Sequence, residues 1–448
     1  MGGSLAGLLA AHVLAGYADR VTVVERDRFP RGMEPRSGVP QGRHPHVLLE
    51  GGQSALEELL PGFLAELAAA GAPRVGMPSG LVQWQDGRWF RRLPATLHIH
   101  TGSRAQLEGL VRRRVLANPV IEVLESTEVL GLLGDASRVR GVLLRDRSEG
   151  ADGERRALES DLVVDASGSR TRAPRWLTAI GAEAPREETI DTGLAYASRL
   201  YRGRSGVLGG DTAGYYVYPS PAQVHAGGAL PLEDGTHLVI VSGLRGDEPP
   251  TSDDAFVTYV KRLPHPLLHH WLDEAEPLTP AFGYRQAANI RRRYDLPGHP
   301  AGFLATGDAL CTFNPVYGQG MAVAAMSAVA LRDALAGPQR TPTTRRVQRA
   351  ILAASRQAWD ISAGADRKMP GAIGNAVGSG PADRAADWYV NRVQERYPGD
   401  PVVGRAFRSV LNLSAPLTAL FTPAVARVVL LRPLPRTPAV PPVAPEER

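Results

Sequence analysis

Thr306-Gly307-Asp308-Ala309, continued by Asn314-Pro315-Val316-Tyr317-Gly318-Gln319-Gly320-Met321, is the stretch from which the fold can be read. An apolar strand, Gly302 to Gly307, runs into it, and an Ala-rich helix, Met321 to Ala334, leaves it. Few loops need three glycines this close together. They let the backbone approach a flat ring, and the acid after the strand can hold a chain of hydroxyls. The helix that follows points its positive end at the same place.

Two further stretches repeat the theme. Asp165-Ala166-Ser167-Gly168-Ser169-Arg170-Thr171-Arg172 follows the short apolar strand Asp161 to Asp165. Gly2-Gly3-Ser4-Leu5-Ala6-Gly7 opens the helix Leu5 to Leu14 and is followed by the β-branched strand Val21 to Glu25. In a dinucleotide site such glycines make a tight turn, admit the pyrophosphate to the backbone and seat the helix on the sheet. The acid that ends the next strand, here Glu25, accepts hydrogen bonds from a ribose. Ser4 stands where the middle glycine is usual. The strand that should precede Gly2 is missing, so a true start upstream of Met1, or a truncated chain, is expected.

The remaining pattern suggests three regions. Residues 1–75, 100–185 and 295–340 read as a discontinuous cofactor domain with the parallel strands and covering helices of a Rossmann-like α/β unit. Helical periodicity marks Ala55 to Ala70 and Arg104 to Leu116. Residues 76–99 and 186–294 read as an antiparallel sheet. It is carried by Ala195 to Tyr201, Tyr215 to Tyr218, His225 to Leu230 and His237 to Val241, with turns at Asp86-Gly87 and Glu233-Asp234-Gly235. Residues 341–432 read as helical, and the Pro-rich 433–448 as a disordered tail.

Composition narrows the function classes. The chain has 448 residues, 43% hydrophobic and 22% charged, enough for two or three domains. One cysteine, Cys311, excludes an internal disulfide and a cysteine-rich zinc site, and favours a reducing cytoplasm. The net charge of +5 suits an anionic ligand. The basic runs Arg112 to Arg114 and Arg291 to Arg293 lack the interleaved aromatics of a nucleic-acid surface. No signal peptide opens the chain. The apolar stretch Val410 to Leu431 is broken by Pro416, Pro423 and Arg427, so no transmembrane span is expected; helices packed on the body are. His44 and His46 have no third ligand nearby to make a metal site. Gly374 to Gly380 is Gly-rich without a strand before it, so no second dinucleotide motif is present. A serine-hydrolase elbow is also lacking.

Gly2 to Gly7, Glu25, Asp165 to Arg172, Gly307-Asp308 and Pro315 to Gly320 together resemble the FAD-dependent monooxygenases of the para-hydroxybenzoate hydroxylase fold, over roughly Met1 to Leu335. Gly38-Val39-Pro40-Gln41-Gly42-Arg43-His44-Pro45-His46, with Asn314 to Gly318, Gly51-Gly52 and Glu57 to Pro61, is more closely similar to the bacterial polyketide epoxidases of polyether biosynthesis. The Trp-x-Trp-x-Ile-Pro signature of flavin halogenases is missing.

The resemblance implies FAD, reduced by NAD(P)H directly or through a separate reductase. It also implies O2 as co-substrate, and a C4a-hydroperoxyflavin that hands one oxygen atom to a hydrophobic, polyketide-like metabolite. The implied cofactor contacts are Gly2, Gly3, Ser4, Gly7, Glu25, Gln41, His44, Arg104, Asp165, Gly168, Gly307, Asp308, Pro315, Gly318, Gly320 and Met321. His46, Tyr215, Tyr216 and Tyr218 are the candidate substrate contacts. The cofactor carries the chemistry, so no side-chain acid or base is named. A reductase or dehydrogenase acting on C=C bonds, and a flavin-binding chain without catalysis, stay open as alternatives.

Overall fold

The computed structural model describes residues 1–36, 38–148, 153–203, 212–285, 288–337, 342–377 and 381–442. Two parallel strand pairs form the heart of the α/β region. Val21–Val24 runs beside Ile121–Leu124, and Val163–Asp165 runs beside Phe303–Ala305, with Asp165 level with Ala305. The first two residues lie between these pairs, where a middle strand would run. Gly2 N donates to Val24 O at 2.8 Å, the Met1 ammonium donates to Val164 O at 2.9 Å, and Ala166 N donates to Met1 O at 2.9 Å.

Helix Leu5–Leu14 buries Leu5, Leu8, Leu9, Ala10, Ala11 and Val13, because it is wedged between helices Gly320–Leu335 and Arg104–Leu116. A helix buried on several sides needs no polar face, which explains its uniform Ala and Leu content. The helical stretch expected over Ala55 to Ala70 is two helices, Glu50–Leu59 and Phe63–Ala69. Pro61 and the positive φ of Gly62 (83°) break it between them. Thr127–Gly134, Val139–Asp146 and Arg155–Glu159 form an antiparallel meander.

The second region is an eight-stranded sheet. Its order runs from Glu276–Pro277 through Ala195–Arg202, His237–Gly243, Ala226–Pro231, Gly214–Val217 and Leu81–Gln85 to Arg88–Trp89, with Phe282–Tyr284 pairing Ala195–Arg202 off that path. Asp86 and Gly87 both take positive φ, 47° and 77°, as a two-residue hairpin requires. One face packs Tyr215, Val217, Ala229, Val239 and Val241 against helices Asp253–Val260 and Leu267–Glu274. The opposite face turns toward the α/β region. Leu97–Gly102 pairs with both Arg74–Met77 and His46–Leu48, so this strand joins segments expected to fall in different regions.

Helices Pro381–Arg396, Pro401–Leu411 and Pro423–Leu431 build a third core with Val393, Tyr397, Val403, Phe407, Val429 and the sheet's own Phe90. Residues 433–442, expected to be disordered, lie along the body. Pro435 packs beside Gly399, and Arg92 donates to Pro442 O at 3.5 Å. Residues 443–448 of that tail, and 378–380 of the Gly374 to Gly380 stretch, lie outside the described residues. Among the described residues no helix is long and apolar enough to cross a membrane.

Candidate functional site

A cavity of about 1260 Å³ runs between the three regions. That exceeds the roughly 300–1,000 Å³ of an ordinary small-molecule site. Gly2, Ser4, Glu25 and Arg104 line one end. Gln41, His44, His46, Gly168, Gly307, Asp308, Pro315, Gly318, Gly320 and Met321 line its middle. Tyr216 and Tyr218 form a wall on the sheet side.

The glycine motif at the first end is tight. A Cβ at Gly7 would sit 1.9 Å from the Gly2 carbonyl oxygen, so a side chain there is impossible without moving the turn. Gly3 is hidden behind this turn, where its N–H donates to Glu25 Oε2 at 2.7 Å. Ser4, in place of the middle glycine, donates its hydroxyl to Glu108 Oε2 at 2.6 Å and accepts from Arg104 Nη2 at 3.0 Å. Its side chain therefore leaves the first N–H groups of helix Leu5–Leu14 uncapped.

Glu25 is buried at the end of its strand and also pairs with Arg36 at 3.0 Å. Burial alone would push its carboxyl up; Arg36 and the N–H groups of Asp27 and Gly3 outweigh that and hold it below the usual range. Arg36 bridges on to Glu108 at 2.9 Å, and Glu108 lies 3.5 Å from Arg104. Sequence reasoning missed Arg36 and Glu108. The spacing of Arg104 and Glu108, one helical turn apart, was a readable signal for the second.

At the middle of the cavity the Pro315–Tyr317 turn ends on Gly318, whose φ of 65° suits glycine. Helix Gly320–Leu335 follows, with no acidic residue in its first turn and no side-chain cap, so its N–H groups are free for an anion or ring acceptor. Burial raises the Asp308 carboxyl above its usual range, against the opposing pull of Arg104 and a bond from Gln41. Gln319 is buried, and its Oε1 has no partner among the described residues. Added Cβ atoms at Gly42 and Gly168 would meet open space, and one at Gly320 only Asp308 Oδ1 at 4.0 Å. A carboxylate at a strand end, two uncapped helix N-termini, an unpartnered amide and an open glycine cradle fit a dinucleotide carrying a flat ring.

A buried network holds this loop from behind. Asp366 Oδ2 accepts from Asn289 Nδ2 at 2.6 Å and Asn314 Nδ2 at 2.9 Å, and its Oδ1 accepts the Tyr317 hydroxyl at 2.6 Å. Asn289 Oδ1 accepts from Asn314 N at 2.8 Å and the Ser362 hydroxyl at 2.6 Å. Arg292 clamps the same loop by donating to the carbonyls of Asp308, Ala309 and Ser169. The basic run around it is spent on Glu187, Glu188 and Asp295. These partners lie far apart in sequence, so no local pattern announced them.

His44 and His46 face the cavity as neutral rings. His44 is buried, 2.9 Å from Ser198 Oγ and edge-on to Tyr196 and Tyr284. Burial, with Arg43 adding, lowers its pKa to about 4. His46 donates Nδ1–H to His44 O at 2.8 Å, and burial, with Arg104 adding, lowers it to about 3. Among the described residues no three His, Cys, Asp or Glu gather as metal ligands.

Four expected contacts lie outside the cavity lining: Gly3 and Gly7, which shape the first turn, and Asp165 and Tyr215. Asp165 is fully buried and spends its carboxylate on its own turn, accepting from Ser167 N (3.0 Å), Ser167 Oγ (2.6 Å) and Thr171 Oγ1 (2.5 Å). The backbone after it, Ala166 to Arg170, reaches the cavity instead. Tyr215 faces the other side of the sheet, beside Trp89 in the second core. Side chains alternate along a strand, so Tyr216 and Tyr218 cannot share a face with it.

The FAD binding domain family profile matches residues 1–350. The chain belongs to that family. Protein Rv3254 of Mycobacterium tuberculosis is 31% identical over 444 residues, which cover 92% of this chain and 93% of that protein. Among solved structures, the flavin-dependent brominase Bmp2 is similar at a TM-score of 0.65 and 17% identity, with 92% of each chain covered. A flavoprotein/dehydrogenase from Cytophaga hutchinsonii is similar at 0.65 and 16%, with 96% of each covered. The p-nitrophenol 4-monooxygenase PnpA from Pseudomonas putida is similar at 0.64 and 16%, covering 92% of this chain and 96% of that one. These likenesses establish the shared fold. The family makes residues 1–350 an FAD-binding region.

Proposed function

We propose that this member of the FAD binding domain family is a monooxygenase that adds one oxygen atom from O2 to an apolar small molecule, by epoxidation or hydroxylation. The observation that carries the reading is continuity. One cavity passes from the dinucleotide end at Gly2 and Glu25, past the loop Pro315 to Gly320, to an aromatic and aliphatic chamber under the sheet. The sequence resemblance in Gly38 to His46 and Asn314 to Gly318 favours a polyketide-like metabolite and epoxidation.

Bound FAD, once reduced by a nicotinamide cofactor or a separate reductase, supplies the oxygen activation. The protein's residues bind, orient and desolvate. Glu25 would take the ribose hydroxyls, and Arg104 with the N-terminus of helix Leu5–Leu14 the pyrophosphate. Asp308 would take the ribityl hydroxyls, and Gly318 to Gly320 the ring edge. His44 and His46 stay neutral near neutral pH, so neither adds a cation or a ready proton beside the ring. Tyr216, Tyr218 and Ile240 would present the substrate wall, and a bound substrate against this wall would keep water from the reacting atoms.

Turnover of FAD-loaded protein with reduced flavin, a long-chain alkene and ¹⁸O2 tests the reading. A product with one labelled oxygen is expected. Unlabelled product with a C=C bond gained or lost would move the chain to the dehydrogenases and reductases that share this fold.

A further inference from the structure

Arg408, on helix Pro401–Leu411, stands on the cavity wall yet is only 3% exposed. A guanidinium keeps its charge in proteins, so a buried one calls for counter-charge. Arg36, the other deeply set arginine on this wall, has Glu25 and Glu108. Arg408 has no carboxylate partner among the described residues. Its Nε reaches Thr96 Oγ1 at a long 3.4 Å, and its guanidinium hydrogen-bonds the uncharged Tyr397 side chain, 5.6 Å from that ring's centre. Burial lowers its pKa from the usual arginine value, against the opposing pull of Tyr397, as befits a cation without a carboxylate partner. The other basic groups at this end, Arg367 and Lys368, share the Asp387 carboxylate at 3.0 and 3.1 Å.

The walls lead from the loop to this cation. Tyr317 of the loop is followed by Tyr216, then by Tyr218 at 4.9 Å between ring centres, and Tyr218 faces Arg408. Leu411, Leu417, Leu420 and Phe421 line the same end. We propose that Arg408 anchors a carboxylate at the far end of the substrate, so that the cavity takes an elongated, largely apolar monocarboxylate whose other end lies at the Pro315 to Gly320 loop. The inference rests on the substrate chamber assigned above. One fixed cation matches one anion, the planar fork matches a carboxylate, and the apolar lining matches a hydrocarbon body.

The test is calorimetric titration of full-length FAD-loaded protein with decanoate and with its neutral counterpart decanamide. Wild type should bind decanoate at least tenfold more tightly. Arg408→Met should bring the two within twofold while leaving decanamide affinity unchanged. Its Tm should hold or rise, since an uncompensated buried charge has gone. Arg408→Lys should keep part of the preference. A wild-type chain that does not discriminate, including one that binds neither ligand, overturns the proposal, and so does a preference that survives in Arg408→Met. Loss of both ligands in Arg408→Met and Arg408→Lys alike also overturns it, because the residue would then be shaping the wall. Binding needs no turnover, so this result stands apart from the oxygen-label experiment.

Discussion

Two neighbouring strands of the FAD-binding region end in an acid and a run of glycines, and they use the acid oppositely. After Val163–Asp165, the Asp165 carboxylate folds back on Ser167 and Thr171 and never reaches the cavity. After Phe303–Ala305, Asp308 lies on the cavity wall and is raised in pKa by burial. The same pattern thus yields one turn that anchors itself and one that leaves its acid for a ligand. Arg292 braces both turns, donating to Asp308 O and Ala309 O in the second and to Ser169 O in the first, and Asp366 holds the loop that follows the second.

The largest effect should follow Asp165→Ala. It removes the buried acceptor shared by three part-buried donors, each loss costing toward the lower end of about 1–3 kcal/mol and not fully additive, so about 3 kcal/mol of unfolding free energy should be lost in a denaturant titration. A change within about 0.5 kcal/mol would show that the turn does not depend on its acid.

Asp366→Ala should come next, at about 2 kcal/mol, since it strands Asn289, Asn314 and Tyr317 at once. It should also lower the fraction of substrate oxygenated per reductant consumed, because the loop loses its anchor. Unchanged coupling would remove Asp366 as a positioning residue.

Asp308→Asn should invert the Asp165 result. Stability should stay within about 0.5 kcal/mol or rise, while FAD affinity, read by fluorescence titration, should fall about tenfold, or about 1.4 kcal/mol. A large stability loss with intact FAD binding would make the two turns alike after all.

The effect that is smallest at neutral pH is one that acid brings out. Unfolded histidines protonate near pH 6.5, whereas His44 and His46 resist until about pH 4 and about pH 3. Their contribution is therefore whole above pH 6.5 and is lost as pH falls from there through 4 toward 3. The double variant H44Q/H46Q should show a shallower fall of Tm over that range than wild type. Equal slopes would mean that the two rings titrate as in solvent.

Much of this was legible in the residues. The helices Leu5–Leu14 and Arg104–Leu116, the Asp86-Gly87 hairpin and the alternating strands of the large sheet follow from periodicity and turn chemistry, which act over a few residues. The glycine positions were legible because steric exclusion at Gly7 and the positive φ of Gly318 are local demands. The place of Tyr215 was not legible, because a tyrosine cluster on a strand does not say which of its alternating faces meets the core. Arg291 to Arg293 looked like a solvated basic run, because its carboxylate partners lie more than a hundred residues away for Arg291 and Arg292.

By itself, then, the sequence determined that glycine turns follow parallel strands, that helices begin at those turns, and that an antiparallel sheet accompanies them. These are short-range matters of backbone freedom and side-chain alternation. Only the tertiary structure decided that Asp165 serves its own turn while Asp308 faces the cavity, that Met1 and Gly2 lie between the two strand pairs, and that Arg408 reaches the cavity without a carboxylate partner among the described residues. Which partner a charge or carboxylate finds depends on segments brought together from distant parts of the chain, and no local pattern encodes that meeting.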